Sequence, residues 1–163
     1  MYLILITASL CISYFVLMFF LGFFFEQRQV KINSKVFVSL FFIFVLSCVG
    51  YAVAFSIHDD ELGNRVLHAF GGGFMTFLVY FFAIRDGSIA VSTFQFFTMG
   101  ILVVCALGIG NELLEFFLQH YLGATFAVGS EDTWFDLLSN TLGAFTAGIL
   151  FVPLLQSHTK NIS

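Results

Sequence analysis

In a chain of 163 residues that is 60% hydrophobic and 10% charged, four side chains capable of chemistry interrupt or border long apolar runs: His68, Glu112, Glu115 and Asp136. An ionisable group inside a bilayer costs about 2.5–3.5 kcal/mol even on insertion scales, so each is a functional candidate by default. Their spacing sorts them onto helix faces. Glu112, Glu115 and Gln119 stand at i, i+3 and i+7, with Gly108 one turn earlier. Asp136 and Asn140 stand at i and i+4, followed by Gly143, Ala144, Ala147 and Gly148. Arg65 and His68 stand at i and i+3, ahead of Gly71-Gly72-Gly73. Residues three and four apart share a face, and the neighbouring Gly and Ala let backbones approach closely enough for carboxylates and imidazole to meet.

Three carboxylates, an imidazole and an amide suit a divalent metal, the imidazole favouring zinc or iron and the carboxylates harder ions. The same set suits a proton relay or an acid/base pair among crowded carboxylates. It also suits an interhelical hydrogen-bond cluster in which Arg65 neutralises a carboxylate and Asn140 bonds backbone. His68, Glu112, Glu115 and Asp136 are therefore the candidate catalytic and metal-ligating residues, with Arg65, Asp132 and Asn140 in support. Whether the chain is an enzyme stays open, because neither a Gly-x-Ser-x-Gly elbow nor a His-Glu-x-x-His pair occurs. Asp59, Asp60 and Glu61 read as a solvated loop, and the stretch from Gly123 to Glu131 as a possible lid.

The elements that must carry these groups follow from hydropathy. Apolar windows at about 2–25, 36–57, 66–84, 93–119 and 137–155 predict an all-α, polytopic membrane bundle of five transmembrane helices in a single domain over 1–163. The first window runs into Glu26-Gln27-Arg28 without a small-residue cleavage site and reads as a retained helix. If the helices alternate, Arg28, Lys31, Lys35, Arg85 and Lys160 fall on one side and Arg65 alone on the other. The positive-inside bias then predicts the N-terminus outside, the C-terminus cytoplasmic, and the polar set near the extracytoplasmic boundary. Six Lys and Arg against ten Asp and Glu leave no basic footprint for nucleic acid. Cys11, Cys48 and Cys105 lie in apolar stretches without Cys-x-x-Cys spacing and read as packing residues. The Phe runs read as lipid-facing or interhelical surface.

Arg65-Val66-Leu67-His68, Asn111-Glu112-Leu113-Leu114-Glu115 and the signature Asp136-x-x-x-Asn140-x-x-Gly143 with its upstream Trp134 together resemble the VanZ-like integral membrane proteins and a related group of uncharacterised bacterial inner-membrane proteins. The resemblance covers about 65–148. It implies a bacterial plasma-membrane protein acting at the cell envelope, without supplying a reaction. The chain departs from the pattern at Gly129-Ser130-Glu131-Asp132, acidic where the family often carries a basic residue, and its paired Glu is closer to the uncharacterised group.

The expected function is binding of, or action on, an envelope lipid or lipid-linked head group, with metal-assisted hydrolysis or transfer as its sharpest form; the cofactor stays open, a divalent metal being the candidate of that form. The expected partners are membrane lipid and a lipid-linked envelope precursor. The alternatives are a proton- or cation-coupled transport or binding module, which with five helices and no inverted repeat would need a homo-oligomer, and a structural partner subunit without catalysis.

Overall fold

The computed structural model describes residues 2–25, 32–123 and 130–160. Its elements are α1 (Tyr2–Phe24), α2 (Ser34–Ser56), α3 (Asp60–Leu67), a π-helical segment (His68–Met75), α4 (Thr76–Asp86), α5 (Thr93–Leu122) and α6 (Ser130–Lys160). There is no strand among the described residues. Because α3, the π segment and α4 join end to end, five helices are long and apolar enough to cross a membrane, the third of them Asp60–Asp86. The positively charged Arg28 and Lys31 and most of the expected lid lie outside the described residues.

The third span is the axis of the bundle. Every residue from Met75 to Ile84 is buried, and α4 packs against α1, α2, α5 and α6. Aromatic rings fill this centre: Phe77 meets Phe96 edge-on at 5.5 Å between centroids, and Phe81 stacks on Phe151 at 5.2 Å, geometries that add to the area buried. The Phe runs therefore divide by position. Phe23, Phe24, Phe41 and Phe42 face outward, whereas Phe81, Phe82 and Phe96 form the core. The three cysteines are free and half-buried.

Two helices begin earlier than hydropathy alone places them. The third span starts at Asp60 rather than 66, because the Asp59 side chain caps it by accepting from the Leu62 amide at 2.9 Å and Glu61 pairs with Arg65 one turn on at 3.1 Å. Asp60 and Glu61 thus form an acidic first turn, favourable at a helix N-terminus, instead of a loop. The last helix starts at Ser130 rather than 137, with Glu131 and Asp132 in its first turn, and continues through Pro153 to Lys160. Helix α5 runs on to Leu122 and stops at Gly123, whose φ of 68° is the left-handed conformation that ends helices.

The tightest crossing joins α6 to the π segment, and small residues make it possible. A Cβ on Gly143 would collide with the Ala69 carbonyl oxygen, and one on Gly73 with the Asn140 carbonyl oxygen. Backbone therefore meets backbone where the sequence reads Gly72-Gly73 on one helix and Gly143 on the other.

Candidate functional site

The acidic first turns carry the site two to three turns into the bundle, deeper than a first-turn position. His68 is the ninth residue of its span and Asp136 the seventh of α6, while Glu112 stands ten residues before the end of α5. At about 1.5 Å per residue these groups lie roughly 9–15 Å inside the helix ends. Antiparallel pairing of α5 and α6 puts Glu112 opposite Asp136 and Gly108 opposite Asn140.

Asp136 is 3% exposed, and its two oxygens have different surroundings. Oδ1 accepts from Arg65 Nη1 and from Asn64 Nδ2, both at 3.1 Å. Oδ2 stands 3.3 Å from His68 Nε2. Arg65 is held in turn by the Asp132 carbonyl at 3.2 Å, by Asp132 Oδ1 at 3.3 Å and by Glu61 at 3.1 Å, with its guanidinium 4.5 Å above the Phe135 ring centre. One guanidinium thus faces three carboxylates before Glu112 is counted, and the surplus charge is negative.

Glu112 is buried, at 8% exposure, and its Oε1 has no hydrogen-bond partner among the described residues. Leaving a buried carboxylate oxygen unpaired costs about 1–3 kcal/mol or more. One donor atom each from His68, Glu112 and Asp136 lies within 4.8 Å of the others. Ligands sharing one ion at bonds of about 2.0–2.2 Å stand up to about 4 Å apart, so small rotamer changes would close the three around a cation.

The remaining sequence candidates take separate places. Glu115 is half-exposed and accepts from Asn111 Nδ2 of its own helix at 2.7 Å, outside the converging trio. Asn140 is buried, its Oδ1 against Gly72 and its Nδ2 near Gly108, so its amide fills a slot between two glycines directly beneath Asp136. Asp132 and Arg65 flank Asp136 as described, and Asp59 caps a helix.

A second polar cluster, unanticipated from sequence, lies at the other end of the central span. Buried Asp86 accepts from the Tyr14 hydroxyl at 2.8 Å, from Ser39 and from Arg85 Nε at 2.8 Å, and Arg85 Nη2 donates to Ser39 Oγ at 2.7 Å. The available signal was a Tyr inside an otherwise apolar helix and an adjacent Arg-Asp pair at a helix end.

A family model described as "Predicted membrane protein (DUF2238)" matches residues 5–157. No curated protein and no solved structure matches the chain.

Proposed function

The chain belongs to the DUF2238 family of predicted membrane proteins, and we propose that it holds a divalent metal through His68, Glu112 and Asp136 and uses it to engage a lipid or lipid-linked envelope head group. The observation that carries this reading is the convergence of three donor atoms within 4.8 Å, one of their carboxylates, Glu112, having a buried oxygen without a hydrogen-bond partner among the described residues. One imidazole and two carboxylates suit zinc, iron or manganese. Such an ion polarises a phosphoryl or ester oxygen, or lowers the pKa of a bound water. A position two to three turns inside the helix ends is within reach of lipid head groups and out of bulk solvent. The surplus negative charge around Arg65 favours a cation there and disfavours an anionic head group in its absence.

In this reading the protein resides in a bacterial plasma membrane with its N-terminus outside, its C-terminus in the cytoplasm and the metal near the outer face. The VanZ-like signature acquires a physical content: Asp136 is a ligand, Asn140 fills the slot below it, and Gly143 admits the Ala69 carbonyl of the neighbouring helix. A second reading, a proton- or cation-coupled binding module, is favoured by the direct approach of His68 to Asp136.

Metal analysis separates the two. Protein extracted in detergent, with any affinity tag removed, should carry close to one zinc, iron or manganese per chain, and Glu112→Gln and His68→Ala should each lose at least about 90% of it, as removal of one of three protein ligands implies. An unaltered protein that remains metal-free after equilibration with each of these ions would sink the metal reading and leave the relay.

A further inference from the structure

We infer that Lys35 and Arg85 bind the phosphate of an anionic phospholipid at the end of the bundle opposite His68, Glu112 and Asp136. An open depression there is lined by Ser34, Lys35, Val38 and Arg85. Among the described residues the negative charge nearest to it is turned inward: the Asp86 side chain is 0% exposed, with its oxygens taken by Tyr14, Ser39 and Arg85 Nε. Arg85 is 25% exposed, and Lys35 is turned outward. Lys35 is exposed, and its ammonium has no acidic partner among the described residues.

Arg85 is already in place for a ligand. Nε is fixed on Asp86 and Nη2 on Ser39, and the guanidinium lies 4.7 Å from the Phe82 ring centre, so little side-chain freedom remains to be lost on binding. Its Nη1 makes no hydrogen bond among the described residues. Two cations flanking a depression at the membrane boundary match a phosphate, which basic pockets between transmembrane helices recognise.

The apolar part of the surface selects a lipid over a free anion. Ser34, Val38 and Phe42 follow one another at i, i+4 and i+8 along α2, and Val38 and Phe42 are 49% and 48% exposed. A polar head at Ser34, Lys35 and Arg85 would therefore continue into an acyl chain lying over Val38 and Phe42. This site shares no residue with the proposed metal centre and does not depend on it.

Thermal stabilisation of the full-length protein in detergent by dioctanoylphosphatidylglycerol tests the inference. Lys35→Ala should raise the half-saturating lipid concentration about fivefold, the contribution of one basic residue near an anionic head group, while Lys35→Arg stays near the unaltered value. Inorganic phosphate at equal concentration should stabilise far less than the lipid. Lys35 is chosen because Arg85→Ala would also strip Asp86 of its ion-pair partner. Identical half-saturation for Lys35→Ala and the unaltered protein, or no stabilisation by the lipid at all, overturns the site. Equal stabilisation by inorganic phosphate overturns the lipid as its occupant.

Discussion

Asp136 shows how a carboxylate can be held inside a helix bundle. One oxygen is committed to Arg65 and Asn64 and the other is left facing His68. Removing Arg65 would leave that buried charge without its cation, a loss of about 3–5 kcal/mol for a fully buried pair. The Arg65 side chain is 18% exposed, so the lower end, about 3 kcal/mol, is expected for Arg65→Ala. The double variant Arg65→Ala/Asp136→Asn should recover part of that loss, because the uncompensated charge is gone. Unfolding in detergent measured on both variants and on Asp136→Asn checks this, and strict additivity of the two single changes would refute the pairing. The same reasoning applies to Tyr14, which donates to buried Asp86 at 2.8 Å. Tyr14→Phe should destabilise by about 1.5–3 kcal/mol, the range for a hydrogen bond to a charged group, and the same unfolding assay would read it.

The glycine run is not uniform along the central span, although the sequence writes Gly71, Gly72 and Gly73 alike. A Cβ on Gly71 meets nothing within 4 Å, whereas on Gly72 it strikes the Asn140 amide and on Gly73 the backbone of α6. Gly71→Ala should therefore be tolerated. Gly73→Ala and Gly143→Ala should each cost about 1–3 kcal/mol, the usual penalty of overpacking, or more where backbone is struck. Thermal melting of the three variants side by side would test the crossing, and equal behaviour at 71 and 73 would mean that the helices do not approach as closely as described. The π segment belongs to this scale too. It begins at His68 and leads into the buried core at Met75, and wide turns of this kind are frequent at functional sites.

Across the whole molecule, charge is divided between the two ends of the bundle. Among the described residues Asp59, Asp60, Glu61, Glu112, Glu115, Glu131, Asp132 and Asp136 share one end with Arg65, and Lys35, Arg85 and the inward-turned Asp86 lie at the other. With the N-terminus outside, a cysteine placed at the exposed Asp60 on a background without the three native cysteines should react with an impermeant thiol reagent in intact cells. A cysteine at the exposed Ser88 should react only after permeabilisation. The reverse pattern would invert the orientation and place His68, Glu112 and Asp136 near the cytoplasmic face.

What the amino-acid sequence determined by itself was the solvent of the protein and the class of its fold. Long uncharged runs must satisfy their backbone groups internally, and helices do so within one segment, so five spans and an all-α bundle followed before any coordinates. The rarity of charge in those runs also singled out His68, Glu112, Glu115 and Asp136, since a costly group in lipid has to have a reason to be there. Helix starts at Asp60 and Ser130 were hidden, because capping and a charged first turn look like loop to a hydropathy window. Tertiary structure alone separated Glu112 from Glu115, three residues apart on one helix, by burying the first against α6 and leaving the second to bond Asn111. It alone assembled Tyr14, Ser39 and Asp86, which come from three different helices. Spacing along a chain specifies which residues share a face, but which faces meet is decided by backbones packing at glycines, and that contact is written in no single segment.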